Sequence, residues 1–232
     1  MNVVSTVSPL AGLAGDLDTI VVGNDTLVYS MIELVLREIE FDRVDDDACD
    51  DLPDSDDDFC EKFEVGPILL DLPLSPGVER VFEVAIDTGT YDEMEIDIHQ
   101  PRDDTQEDRD FVNENPEFSD ISIRVTGTYN GADFVYVTDL RVDQEKDLVP
   151  PLVIENAGNI DVTLAVDISG WFVVAGRLVD PVDALKGREF ENEVEDNIES
   201  SIEAFEDDDG DGHDDDHDNS DSESDNSGPG LR

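Results

Sequence analysis

The residues whose spacing points most directly to chemistry form the run Asp207-Asp208-Asp209-Gly210-Asp211-Gly212-His213-Asp214-Asp215-Asp216-His217-Asp218. Acidic side chains occupy positions 1, 3, 5, 9 and 12 of a twelve-residue loop, and glycine occupies position 6. That is the ligand spacing of an EF-hand-type calcium loop. Asp207, Asp209 and Asp211 would ligate through their side chains, His213 through its backbone carbonyl and Asp215 through water. Asp218 would close the site where Glu is usual. Because Asp is one carbon shorter, weak affinity is expected. The competing reading is an acidic tail that matches the spacing by chance, since the Ser-, Asp- and Gly-rich residues 219–230 offer no second helix. His213 and His217, four apart among carboxylates, would suit a transition metal, but no cysteine supports them.

Elsewhere the chain carries no nucleophile motif. Ser169-Gly170 lacks the flanks of a nucleophile elbow, and no glycine-rich phosphate loop is present. His99 ends a predicted strand alone and reads as a surface or satisfied histidine. Carboxylate pairs such as Glu93 and Glu95 could serve a hydrolase. With 63 acidic residues in the chain, however, pairs discriminate little. Trp171, Tyr129 and Tyr136 read as core or sheet-face packing, with an aromatic ligand platform as the alternative.

The 232 residues hold 63 Asp and Glu against 13 Lys and Arg, a formal net charge of −50. Nucleic-acid binding depends on neutralising phosphates with Lys and Arg, so that class is excluded, and anionic membrane surfaces are disfavoured. The partners this charge favours are metal cations, basic proteins, uncharged ligands or a component of the cell envelope. Two carboxylates about 6 Å apart repel by about 0.7 kcal/mol in water, and salt screens this over about 8–10 Å. Stability is therefore expected to rise with salt or divalent cations, as suits a salt-loving organism. No run approaches the length of a transmembrane helix. Residues 1–15 lack the basic start and apolar stretch of a signal peptide.

The two cysteines, Cys49 and Cys60, bracket a short acidic loop. A disulfide there is expected to contribute about 3 kcal/mol and would imply an oxidising compartment; two free thiols are the alternative.

Residues 1–25 read as a disordered or weakly structured lead with one β-like run at 19–22. In residues 26–44, Ile32, Leu34 and Leu36 keep one parity while Ile39 and Phe41 take the other. That predicts a long strand with a bulge; helix is the competing reading. Residues 78–86 alternate as one strand. Met94, Ile96 and Ile98 alternate with Glu93, Glu95 and Asp97, a half-buried antiparallel strand with one wet face. A short helix is expected around 107–113. Asn130-Gly131 between two β-rich runs signals a hairpin. Pro150-Pro151 is expected to break the strand before it, and residues 171–174 to supply another. Eight or nine short strands at this turn spacing predict an antiparallel β-sandwich of prealbumin or immunoglobulin type over residues 26–180. Phe190, Val194, Ile198, Ile202 and Phe205 recur at helical spacing, predicting an amphipathic helical segment over 181–206. Residues 207–232 read as a disordered acidic tail.

One stretch carries a likeness. Asp71-Leu72 closing a strand, then Gly89-Thr90-Tyr91 opening an alternating one, resembles a bacterial family of extracytoplasmic β-sandwich proteins of unknown function, often lipoproteins. The resemblance spans roughly residues 26–180. It implies a sandwich fold and an extracytoplasmic location, and it implies no catalytic residues.

The resulting expectation is a non-enzymatic, extracytoplasmic binding or structural protein of the cell envelope, responsive to calcium. The alternatives are an acidic module for a basic protein partner and a hydrolase with an unrecognised carboxylate site. If the tail binds calcium, isothermal titration of the full chain will give heat that Asp209→Ala combined with Asp211→Ala abolishes. Equal heats in both proteins would exclude the loop.

Overall fold

A computed structural model describes residues 2–6, 18–44, 62–74, 78–80, 84–86, 88–103, 105–154, 158–160 and 162–206. The fold is mainly β, an antiparallel sandwich-like arrangement with a C-terminal amphipathic helix. Cys49, Cys60 and the whole Asp207–Asp218 loop lie outside the described residues.

Strand β3 (Asp25–Arg43) organises the larger, eight-stranded sheet. One edge carries β2 (Thr19–Val22), β5 (Ile68–Asp71) and β4 (Lys62–Val65) in turn. The other edge pairs first with β9 (Ile123–Tyr129) and then with β8 (Gly89–Ile98). The exchange happens at Val35, whose N–H donates to Ser122 O at 2.8 Å and whose carbonyl accepts from His99 N at 3.3 Å. β10 (Ala132–Thr138) extends the sheet beyond β9, and β11 (Val142–Ile154) extends it beyond β8.

The expected phase slip in β3 is present. Leu27 and Tyr29 face the core, then Ile32, Leu34 and Leu36, then Ile39 and Phe41. The register shifts between Tyr29 and Met31 and again between Leu36 and Glu38, so there is one more bulge than the pattern suggested. Each bulge inserts one residue and restores the apolar side chains to the inner face. Two glycines allow close approach along β3. A Cβ at Gly66 would collide with the Arg37 carbonyl, and one at Gly127 with the Val28 carbonyl.

The smaller sheet runs β16 (Ile202–Glu206), β13 (Val162–Asp167), β1 (Asn2–Thr6), β6 (Val78–Arg80). Leu164, Val166 and Ile202 from this sheet join the inner face of the larger one in a single apolar cluster. Within it Tyr29 packs edge to face on Trp171 and Tyr136 on Phe172, and a tilted contact between Tyr29 and Phe172 joins the two pairs. The Tyr136 and Phe172 ring centroids lie 5.2 Å apart at 88°. Such pairs add about 0.5–1.5 kcal/mol beyond their buried area.

Several expectations are corrected. The lead is not without structure: β1 is central in its sheet, and it pairs parallel with β13. Within residues 78–86, Val78–Arg80 (β6) pairs in the smaller sheet and Val84–Ile86 (β7) pairs with β12 (Gly158–Ile160), while residues 81–83 lie outside the described residues. Pro150 and Pro151 do not end β11; a register shift between Asp147 and Leu152 carries the strand past them. Both prolines are tolerated because they fall inside that irregularity, where neither is paired with β8 and no ladder donor is needed. Of residues 171–174 only Val173–Val174 are strand (β14), paired with β15 (Arg177–Leu178). The helical segment over 181–206 is a 3-10 turn at Pro181–Ala184 and one helix, Glu191–Glu199; Ile202 and Phe205 belong to β16. Ser200 and Ser201 end the helix, and Ser201 Oγ accepts a hydrogen bond from Trp171 Nε1 at 2.7 Å. The Ile198 and Ile202 spacing fits helix and strand alike. Backbone bonds to β13 decide for strand.

The short helix expected near 107–113 is α1 (Gln106–Glu114), with Thr105 Oγ1 accepting from Asp108 N at 3.0 Å as its N-cap. Phe111 and Phe118 cover Val35 on the outer face of β3. Arg124 binds Glu33 in two bonds of 2.6 and 3.0 Å and lies 5.1 Å from the Phe118 ring centroid.

Gly127→Ala is expected to cost about 1–3 kcal/mol, the usual range for overpacking. Urea denaturation will read it; an unchanged midpoint would mean that β3 and β9 do not approach as closely as described.

A carboxylate face as the candidate functional site

Beyond Val35 the outer face of β3 presents Glu38, Glu40 and Asp42, because the bulge at Arg37 returns these even positions to the surface side. On β8 the alternation that buries Met94, Ile96 and Ile98 turns Glu93, Glu95 and Asp97 outward. On β11 it turns Asp143, Glu145 and Asp147 outward, and all three are exposed. Pairing aligns these nine residues. Glu38, Asp97 and Asp143 form one cross-strand row; Glu40, Glu95 and Glu145 form the next; Asp42, Glu93 and Asp147 form the third. Strand spacing sets the rows' members about 4.8 Å apart, and residues two apart along a strand are separated by about 6.6–6.8 Å. Like charges directly opposite one another oppose pairing.

The first row is bridged by arginine. Arg141 spans Asp97 at 3.4 Å and Asp143 at 2.7 Å, and Arg37 meets Glu38 at 2.6 Å. Arg37 also reaches Asp108 of α1 at 3.6 Å, so the helix is tied to the edge of the carboxylate face. Among the described residues, Glu93, Glu95, Glu145 and Asp147 make no salt bridge. Lys62 stands opposite Asp42, and Glu64 opposite Glu40, in the β4 register.

Protons compensate part of this charge. Burial, then a hydrogen bond to Asp143, then the charges of Asp143, Glu40 and Asp97 push the Glu95 carboxyl up to about 7. Glu93 is raised by burial, then by Glu145, Asp42 and Asp147. Asp97, only 4% exposed, is raised chiefly by burial against the pull of Arg141. Chemically, the face is an anionic lattice that releases protons near neutrality and attracts cations. Among the described residues no group of three His, Cys, Asp or Glu is placed to hold one metal ion.

The residues singled out from spacing are distributed differently. Of the Glu93 and Glu95 pair, both lie in this lattice. His99 is satisfied: its Nδ1 lies 2.7 Å from Gln100 O. Trp171 and Tyr136 are fully buried, as core packing requires, whereas Tyr129 is half-buried and lines a cleft. The calcium-loop ligands and both cysteines lie outside the described residues. Asp97 was placed on the wet face of its strand from the pattern; Glu38, Glu40, Asp42, Asp143, Glu145 and Asp147 went unnoticed in the sequence. Their signal was there, an acid at every second position in three segments, but only register turns three stripes into a lattice. No family model, curated protein or solved structure matches the chain.

The protonation pattern sets a pH dependence. The folded state keeps a proton on Glu95 that the unfolded chain loses near pH 4.5, so the contribution is fully present below that value. It is lost as pH rises through about 7. The melting temperature is expected to fall between about pH 5 and about pH 8, with a shallower fall in Glu95→Gln. Thermal melts across this window check it; a rising curve would contradict the assignment.

Proposed function

We propose that this protein is a non-enzymatic binding protein whose carboxylate face receives a cationic partner, a basic protein segment. The observation that carries this is the alignment of three acidic stripes into rows by the β3–β8–β11 pairing. An extended basic segment with Lys or Arg at alternate positions repeats its charges about every 6.6–6.8 Å, the spacing of carboxylates along each strand. It would neutralise several rows at once, where one compact ion would reach fewer. A docked partner would displace the Glu95 proton and relieve the repulsion that the face carries alone. Charge of this kind steers encounter and sets specificity more than it sets affinity.

A hydrolase would need its carboxylate pair in a concave site, and Glu95 and Asp143 share a sheet face instead. Calcium binding by Asp207, Asp209, Asp211, His213, Asp215 and Asp218 and an extracytoplasmic setting belong to the same proposal. Their support is sequence pattern and resemblance alone.

A Lys-Thr repeat peptide titrated into the full chain is expected to bind, and to weaken steeply between about 50 and about 200 mM salt. Glu95→Gln with Glu145→Gln should weaken it about tenfold, from two charges at about 0.7 kcal/mol each. Asp209→Ala with Asp211→Ala should leave it unchanged. Peptide affinity insensitive to the Glu95 and Glu145 pair would defeat the proposal.

A further inference from the structure

At the opposite end of β3 from the carboxylate face, two tight turns, the end of β9 and a 3-10 turn line an open cleft of about 540 Å³. That lies within the range of pockets that hold small ligands, about 300–1,000 Å³. One wall is the β2–β3 turn at Gly23 and Asn24; another is the β14–β15 turn at Gly176 and Arg177. Leu178 and Val179 belong to the core, and Val22, Tyr129 and Phe190 pack against it, so the cleft has an apolar and aromatic lining. Its charged lining is Asp25, Asp180 and Asp183 against a single Arg177.

The walls are pinned before any ligand arrives. Asn130 Nδ2 donates to Asp25 Oδ1 at 2.9 Å, and Thr26 N donates to Asn130 Oδ1 at 2.9 Å. Val182 N donates to Asp180 Oδ1 at 3.0 Å, and Phe190 N to Asp183 O at 3.0 Å. These bonds engage one oxygen each of Asp25 and Asp180. Their second oxygens and the whole Asp183 carboxylate make no recorded hydrogen bond among the described residues. Arg177 likewise has no recorded ion pair among them. The local field is negative: burial first, then Asp25 and Asp180, raise the Tyr129 hydroxyl above its ordinary value.

We infer that this cleft binds a small organic cation, an ammonium or guanidinium head on an aliphatic stem. The carboxylates take the head, and the apolar and aromatic lining takes the stem. Arg177, of like charge, weakens the fit and confines it to a single positive group. This site shares no residue with the carboxylate face and does not depend on it.

Calorimetry on the full chain tests it with two guanidinium probes of one positive charge each, n-butylguanidinium as the free form and N-acetyl-arginine amide as the peptide-borne form. N-acetyl-citrulline amide is the uncharged match. Both charged probes, or the better fitting of them, should bind, and the citrulline compound should not; the tighter of the two identifies the source. Asp183→Asn should weaken binding about threefold and Arg177→Ala should tighten it by a similar factor, as one charge about 6 Å away dictates. Both side chains are exposed, so the fold is retained in each variant. Glu95→Gln with Glu145→Gln should leave this binding unchanged even if peptide docking on the carboxylate face is lost. Equal binding of the citrulline compound, loss of binding in Arg177→Ala, or loss in the Glu95 and Glu145 pair would each overturn the inference.

Discussion

Strand β3 exchanges backbone hydrogen bonds with five other strands, and the rest of the molecule is placed by that one element. A single straight strand cannot satisfy so many partners. β3 does so by changing neighbours at Val35 and by bulging at two points, so that β9 and β8 follow one another along the same edge. Each bulge would turn every later side chain to the wrong face unless the apolar pattern shifted with it. The pattern does shift, and the core is continuous from Leu27 to Phe41.

The same geometry concentrates charge. Alternation that turns Ile96 inward must turn its neighbours to the outer face, and on this stretch of β3, β8 and β11 those neighbours are acidic. Repulsion between rows opposes the pairing that the core enforces. Protons on Glu95 and guanidinium groups at Arg37 and Arg141 offset some of it. The remainder is an unbalanced anionic surface on a stable scaffold. Covering that surface with positive charge lowers the energy of the whole, and this is the physical basis for the binding role we propose. Functional surfaces are commonly where local preference and global fold disagree.

Much of the scaffold was legible from residue order. The β3 slip, the clean alternation of residues 91–98, the Asn130-Gly131 turn and the short helix near 107–113 all follow from local chemistry, and the structure contains each. The misreadings share a cause. Ile198 and Ile202 satisfy two periodicities, Pro150-Pro151 is a breaker only where a donor is needed, and Asn2–Thr6 becomes a strand through partners far along the chain. In each case the deciding hydrogen bonds are long-range.

Composition and spacing by themselves determined the fold class, the bulged central strand and the acidic character of the chain. Those are properties of single segments, set by period, turn chemistry and charge count. Only tertiary structure decided that three acidic stripes stand side by side. It alone also decided that Asp25, Tyr129, Asp180 and Asp183 meet in one cleft. Register between strands and the meeting of distant turns arise from the packing of one common core, which no local stretch of sequence contains.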